Sequence, residues 1–299
     1  MKKITPGIPH KSVLLTEVVE ALAIGPHKTY LDVTFGAGGH TRAILEKEPT
    51  CTVIAMDWDA LSIETFGQPL QEEFGERISF IWSNFAHLYK LVKKHNLQNL
   101  DGILADFGTS QVQISSTPGI SFSRDTLLDM RLSPAHQPVT AGDVLNKATE
   151  EKLAQIFFQL GQEAKSRQIA RAIVHARTKI KLQTTGQLVD IIETIIPTRR
   201  RSIHPATKIF QALRIYVNHE LENISAFLPA ALSALAPGGR LVCISFHSLE
   251  DRLVKQFFKE QEVQGKLEII SSGAITPTDL EVALNPSARS AKMRVAQKL

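Results

Sequence analysis

Cysteine is nearly absent from this sequence: only Cys51 and Cys243 occur in 299 residues, each inside an apolar run that reads as a strand. Two thiols cannot build a disulfide framework or a four-cysteine zinc site, so a reducing cytoplasm is the expected setting and no metal site is expected. No apolar run approaches the ~18 residues that a membrane span needs, which argues against a membrane partner. The first residues, Met1 to Gly7, are basic but lack the apolar stretch of a secretory signal. The 17 glycines and 14 prolines follow no period, which excludes collagen-like and low-complexity chains. Against these absences stand 43% hydrophobic and 21% charged residues, an ordinary globular balance at a length suited to about two domains.

Charge is distributed unevenly. Between Lys165 and Arg214 lie eleven basic residues, Arg199-Arg200-Arg201 among them, against Asp190 and Glu193 alone. That stretch carries +9 and leaves −5 for the rest of a chain whose formal charge is +4. A basic module on a mildly acidic body suggests a polyanionic partner; scattered charge on solvated helix faces is the alternative.

Hydrophobic patterning divides the chain. Thr29 to Phe35, Thr52 to Met56, Ile78 to Trp82 and Gly102 to Ala105 read as strands, with a helical stretch from His40 to Glu48. Such alternation predicts an α/β fold with a parallel, doubly wound sheet. From about residue 111 the strands stop. Helical patterns occupy Glu150 to Leu160, Lys165 to Arg177 and Thr185 to Ile196, and a strand signal returns only at Arg240 to Phe246. That gap far exceeds one crossover helix and implies an inserted helical domain. The expected organisation is residues 1–110 and 207–299 as the sheet domain and 111–206 as the insert. The amphipathic stretch Thr207 to Leu221 would lead back to the sheet, and Lys266 to Ile270 and Met293 to Ala296 are candidate last strands.

Between the first strand and first helix lies Gly36-Ala37-Gly38-Gly39. Glycines there let a ligand approach the backbone, with a helix N-terminus facing it. The third glycine of a dinucleotide fingerprint is missing, as is the Gly-Lys-Ser/Thr ending of a P-loop. S-adenosylmethionine is the remaining candidate, its methionine carboxylate meeting loop amides. Asp57, at the end of the second strand, is placed to accept both ribose hydroxyls, or else to cap a helix. Phe85 is either an adenine-pocket wall or core. Asp106 ends the fourth strand, at the edge where open α/β sheets hold their ligands, or serves as a turn residue. His40 is either a ligand contact or a first helical residue.

Several segments together resemble one family along nearly the whole chain: His10-Lys11-Ser12-Val13-Leu14-Leu15, Asp32-x-Thr34-Phe35-Gly36-x-Gly38-Gly39-His40, Asp101-Gly102-Ile103-Leu104-x-Asp106-x-Gly108, Leu128-Asp129-Met130-Arg131, His204-Pro205-Ala206-Thr207, Val217-Asn218-x-Glu220-Leu221 and Ile244-Ser245-Phe246-His247-Ser248-Leu249-Glu250-Asp251-Arg252. The sequence is similar to the bacterial 16S rRNA cytosine-N4 methyltransferases of the RsmH (MraW) family. That resemblance implies a class I S-adenosylmethionine-dependent methyltransferase, a Rossmann-like sheet with the inserted helical domain, acting on a decoding-centre cytidine of 16S rRNA in the small ribosomal subunit. It implies cofactor contacts from Gly38, Gly39, His40, Asp57, Phe85, Asp106 and Gln113. The chain departs from the family pattern at Thr109 to Gln113, at Ile120 and at Leu127.

On this reading the methyl goes in line to N4, and Asp106 or nearby carbonyls accept its N–H groups. Arg199, Arg200, Arg201 and His204 are expected to hold RNA. His247, Ser248, Glu250 and Arg252 either line the entrance for an unstacked base or form a helix-capping cluster. A homodimer is a candidate assembly. The Asp/Asn/Ser-Pro-Pro-aromatic tetrad of DNA amino-methyltransferases is absent after the fourth strand, and the basic stretch disfavours a small-molecule acceptor. A non-catalytic ribosome-assembly factor on the same fold is the alternative function.

Overall fold

The structure is a computed structural model that describes residues 12–109, 113–114, 117–197 and 204–299. The chain forms two compact units, one of residues 1–110 with 221–299 and one of residues 111–220.

The first unit is built on seven strands: β1 Thr29–Asp32, β2 Thr52–Asp57, β3 Ile78–Trp82, β4 Leu100–Asp106, β5 Leu235–Ser245, β6 Leu267–Ile269 and β7 Lys292–Lys298, in the order β3-β2-β1-β4-β5-β7-β6. Strands β1 to β5 are parallel. Strand β7 is antiparallel to both β5 and β6 and lies between them, a departure from the all-parallel sheet that alternation predicts. The chain leaving β6 turns back and runs antiparallel, so this last connection needs no crossover helix.

Helix α1 Leu15–Ala21 precedes β1, and α2 Gly39–Lys47, α3 Gln68–Phe74 and α4 Leu88–Lys94 fall between the first four strands. Along β4 and β5 alternate residues point to opposite faces. Ile103, Ala105, Leu241 and Cys243 enter one core, and Leu104, Val242 and Ile244 enter the other. Val18 of α1, Ile44 and Leu45 of α2 and Leu70 of α3 cover the second face. Both faces are therefore dry, which is why the strands read as continuous apolar runs. Pro237-Gly238-Gly239 forms a bulge inside β5 rather than a turn before it. A Cβ on Gly239 would come 2.7 Å from the Leu100 carbonyl oxygen across the ladder.

The second unit contains α5 Ala141–Lys147, α6 Glu150–Gln159, α7 Ser166–Arg177, α8 Thr185–Ile195 and α9 Ala206–Asn218. Their starts are written in the sequence: Thr140 with Asp143 and Thr184 with Gln187 form capping boxes, and Thr149 caps α6. Helix α9 was expected to belong to the sheet domain. Instead its Ile209, Phe210, Leu213 and Val217 join the helical core with Leu153, Phe157 and Ile173, so the chain returns to the sheet unit at Leu221. The helix also ends earlier than expected. His219 takes a left-handed conformation (φ 52°), and a new helix, α10 Glu220–Ala234, begins. The remaining helices are α11 Ser248–Val263 and α12 Asp279–Leu284.

Asn218 ties the second unit together. Its Oδ1 accepts the Leu132 amide at 2.9 Å, and its Nδ2 donates to the Met130 carbonyl at 2.9 Å and the Arg214 carbonyl at 2.8 Å. It is fully buried, so Asn218→Ala leaves orphaned groups at about 1–3 kcal/mol each. We expect this variant to lower unfolding stability by about 3 kcal/mol in urea melts, with the Leu132 amide losing hydrogen-exchange protection. No helix among the described residues is long and apolar enough to cross a membrane.

Candidate functional site

Strand order reverses direction between β1 and β4, and open α/β sheets hold ligands at the carboxyl ends of strands beside such a point. Here β2, β1 and β4, adjacent in the sheet, end in Asp57, Asp32 and Asp106 respectively. Asp57 and Asp32 are buried, and Asp106 is half-buried with its Oδ1 shut off from water. Burial pushes Asp57 up to about 7 and raises Asp32 and Asp106 above the usual carboxylate range.

The glycine loop leaves β1 directly above them. Gly36 (φ 54°) and Gly38 (φ 80°) adopt left-handed conformations. A Cβ on Gly38 would meet the Phe35 ring at 2.8 Å, and one on Gly39 would run into the Ser12 hydroxyl. The loop thus opens α2 with bare backbone, as an anionic ligand group requires. Asp57 accepts the Gly36 amide through Oδ2 at 2.8 Å and the Asp59 amide through Oδ1 at 2.9 Å. Each oxygen retains a second lone pair for a hydroxyl. A glycine cradle with a buried carboxylate one strand away fits the methionine and ribose ends of S-adenosylmethionine.

Asp106 is held by its backbone: its amide donates to Thr34 Oγ1 at 2.7 Å. Its Oδ1 is buried without a hydrogen-bond partner, and its Oδ2 lies 3.8 Å from His40 Nδ1. The negative charges of Asp32 and Glu250 add to burial in raising it. His40 was expected at the cofactor; its ring is buried with Nε2 2.9 Å from the Val13 carbonyl oxygen. A carbonyl only accepts, so Nε2 carries a hydrogen and Nδ1 faces Asp106. The ring bridges the segment before α1 and the end of β4.

Asp32 was quoted in the motif but assigned no role. It is 1% exposed, accepts from Thr41 Oγ1 at 2.7 Å and from the Thr34 amide at 3.1 Å, and the His40 charge lowers a pKa that burial raises. The signal available in sequence was its position at the end of β1, matching Asp57 and Asp106.

Phe85 follows β3 and is half-buried, packing against Phe107 and Phe227 with ring centroids 5.7 and 5.5 Å apart. It is an edge of the core that still exposes one side. Gln113 is buried and belongs to the helical unit.

The residues expected to hold RNA divide by position. Arg199, Arg200 and Arg201 lie outside the described residues. His204 stacks on Phe122 at 4.8 Å, accepts the Ala206 amide through Nδ1 and sits 3.2 Å from Glu193, so it clamps the start of α9. His247 is the N-cap of α11, and Glu250 completes the capping box by accepting the Phe246 and His247 amides. The capping reading of this cluster is therefore realised; Arg252 is exposed on the same helix. Of the basic residues between 165 and 214, Arg177 caps α5 carbonyls, Lys208 donates to the Gln162 carbonyl and Arg214 pairs with Glu220 at 2.9 Å. Arg167, Lys179 and Lys181 are exposed.

A family model described as the MraW methylase family matches residues 7–299. A protein named ribosomal RNA small subunit methyltransferase H from Cyanothece is 43% identical over 298 residues, covering 99% of this chain and 97% of its own. One of the same name from Rickettsia rickettsii (strain Sheila Smith) is 42% identical over 308 residues, covering 97% and 98%. Among solved structures, NSun6 from Pyrococcus horikoshii with SFG aligns at a TM-score of 0.46 and 13% identity, covering 96% of this chain and 52% of that one. An rRNA methylase from Streptococcus thermophilus aligns at 0.40 and 11%, covering 98% and 99%.

Proposed function

This chain belongs to the MraW methylase family, and from that premise we propose that it methylates N4 of a decoding-centre cytidine in 16S rRNA, with S-adenosylmethionine as methyl donor. The observation that carries the reading is the unpartnered, buried Oδ1 of Asp106 beside the glycine loop. A buried acceptor with nothing to accept is costly unless a ligand completes it. The names of the relatives supply the acceptor class, small-subunit rRNA, and a ribosomal substrate places the work in the cytoplasm.

The cofactor supplies an electrophilic methyl on a positively charged sulfur. The amides at the start of α2, from Gly39 and His40, would take the methionine carboxylate, Gly38 turning the loop toward it while its own amide stays on the Phe35 carbonyl, and Asp57 would accept the ribose hydroxyls. Phe85 offers its exposed side to the adenine. The exocyclic nitrogen of cytosine is a poor nucleophile because its lone pair is delocalised into the ring. Asp106 accepts an N4–H, turns that lone pair toward the methyl carbon and offsets the positive charge that develops on nitrogen. The nitrogen loses its proton after transfer, and Asp106 is placed to take it, with His40 Nδ1 behind it. No strong base is needed.

The cytosine reaches Asp106 unstacked, from single-stranded or opened RNA. His247, the N-cap of α11, and Arg252, in the second turn of that helix, flank that approach. Exposed Arg167, Lys179 and Lys181, with Arg199, Arg200 and Arg201, make the helical unit the phosphate grip, and His204 fixes the helix start that follows the arginine run.

The test is methyl transfer from labelled S-adenosylmethionine to unmodified small subunits, naked 16S rRNA and duplex DNA. Label in the small-subunit RNA, recovered as N4-methylcytidine, is the expected result. Label in DNA, or saturable binding with no transfer to any RNA, would replace the reading by a DNA enzyme or a non-catalytic assembly factor. About six phosphate contacts predict a fall in RNA affinity of roughly a thousandfold between about 50 and 200 mM salt; a flat salt response removes the basic stretch as the grip.

A further inference from the structure

A cavity of about 410 Å³ in the sheet unit lies away from the three aspartates, lined by Lys255 and Lys259 of α11, by Arg294 of β7 and by Ser271, Ser272 and Gly273 after β6. Lys255 and Lys259 are four residues apart on one helix face, where like charges repel. Both are exposed, and among the described residues neither has a carboxylate within ion-pair distance. The acids nearby are already engaged. Asp251 accepts from Arg294 at 2.7 and 3.2 Å and lies 3.8 Å from Lys292, while Glu262 accepts the Ile269 amide. Opposite the lysines, Ser271 Oγ accepts the Val295 amide at 3.4 Å. A Cβ on Gly273 would meet nothing within 4 Å, so the backbone there is open. The polar lining of the cavity is therefore three cations, two hydroxyls and open backbone, with Asp251 committed to Arg294 beside it.

Its place in the sheet says what such a pocket could serve. Arg294 is in register with Cys243, and Cys243 with Ala105, the residue before Asp106. Two strand spacings, roughly 10 Å, separate Arg294 from the end of β4. Strand β6 runs parallel to β5, so the loop carrying Ser271 to Gly273 leaves from the same edge as Asp106.

We propose that this pocket binds a backbone phosphate of the RNA strand flanking the target base, giving the sheet unit its own grip independent of the helical unit. The proposal rests on the RNA-methylating reading above. A phosphodiester suits it because the lysines provide point charges and the Ser-Ser-Gly loop provides short donors, set above an apolar floor of Phe258 and Ile269.

The double variant Lys255→Ala/Lys259→Ala tests it, alongside the charge-preserving Lys255→Arg/Lys259→Arg. With unmodified small subunits, the alanine pair should raise KM five- to tenfold and leave kcat and S-adenosylmethionine affinity unchanged. Its log–log salt slope for binding a single-stranded oligoribonucleotide should fall by about 0.7, the share of one phosphate contact. The arginine pair should match wild type. An alanine pair with wild-type KM and slope overturns the proposal. So does an inorganic phosphate titration that shifts the lysine NMR signals while RNA binding stays intact, since the pocket then takes a free anion. If wild type methylates no RNA, the function reading fails, and the oligoribonucleotide comparison still judges the pocket.

Discussion

Asp106→Asn is expected to lower single-turnover methyl transfer by about two to three orders of magnitude while leaving the fold intact, the usual effect of deleting one preorganised charge from an active site. The amide has the same shape and keeps the backbone link to Thr34 Oγ1. It cannot carry the negative charge that offsets the cation developing on N4. The wild-type pH profile supplies an independent readout. Burial, with Asp32 and Glu250 nearby, raises the Asp106 pKa well above its ordinary value, and His40 faces its other oxygen. Only the ionised carboxylate offsets the positive charge developing on N4, so activity should decline as pH falls through that raised pKa and recover above it. In the Asn variant this acid limb should vanish. Cofactor affinity, measured separately by calorimetry, distinguishes lost chemistry from lost binding. Near-normal turnover with an unchanged pH limb would remove Asp106 from the mechanism.

Asp57→Asn should make the free protein more stable at pH 8 and poorer at holding its cofactor. The folded-state pKa of Asp57 is about 7, above the ordinary 3.8, because burial penalises the charge more than two backbone amides relieve it. A carboxyl with a raised folded pKa contributes its full stability below about pH 4 and loses it as pH climbs through about 7. Above that pH the buried charge costs up to about 4 kcal/mol at ~1.4 kcal/mol per unit. Asparagine removes the charge but can accept only one of the Gly36 and Asp59 amides, which returns about 1–2 kcal/mol. The net expectation is a gain of about 2 kcal/mol in urea unfolding at pH 8, and a loss near pH 4. S-adenosylmethionine affinity should drop about 10- to 100-fold as charge-assisted bonds to the ribose disappear. Wild-type stability that stays flat between about pH 4 and 8 would contradict the buried-charge account. Stability is here held below its maximum at a site whose ligand supplies the missing partners.

The glycine loop, the acids ending β2 and β4 and the start of the helical unit were legible in the sequence because each depends on neighbours within a few residues. A strand buried on both faces is an unbroken apolar run, and a turn needing positive φ demands glycine. A capping box is a four-residue pattern. Other features were not legible, for one shared reason. The apolar face of α9 fits a sheet as well as a helical core, and only the partners Leu153, Phe157 and Ile173 decide between them. The insertion of β7 between β5 and β6 depends on pairing between residues 27 to 57 positions apart. His40 reads as an N-terminal helix residue until the Val13 carbonyl and Asp106 stand on either side of its ring.

By itself the sequence determined which elements form, which family they belong to and where a nucleotide-like ligand enters the sheet. Tertiary structure alone decided the chemistry available there. Strand order sets Asp57, Asp32 and Asp106 side by side, and packing buries the first two and half-buries the third. A carboxylate changes its proton affinity only through what surrounds it in space, and sequence neighbours do not supply those surroundings.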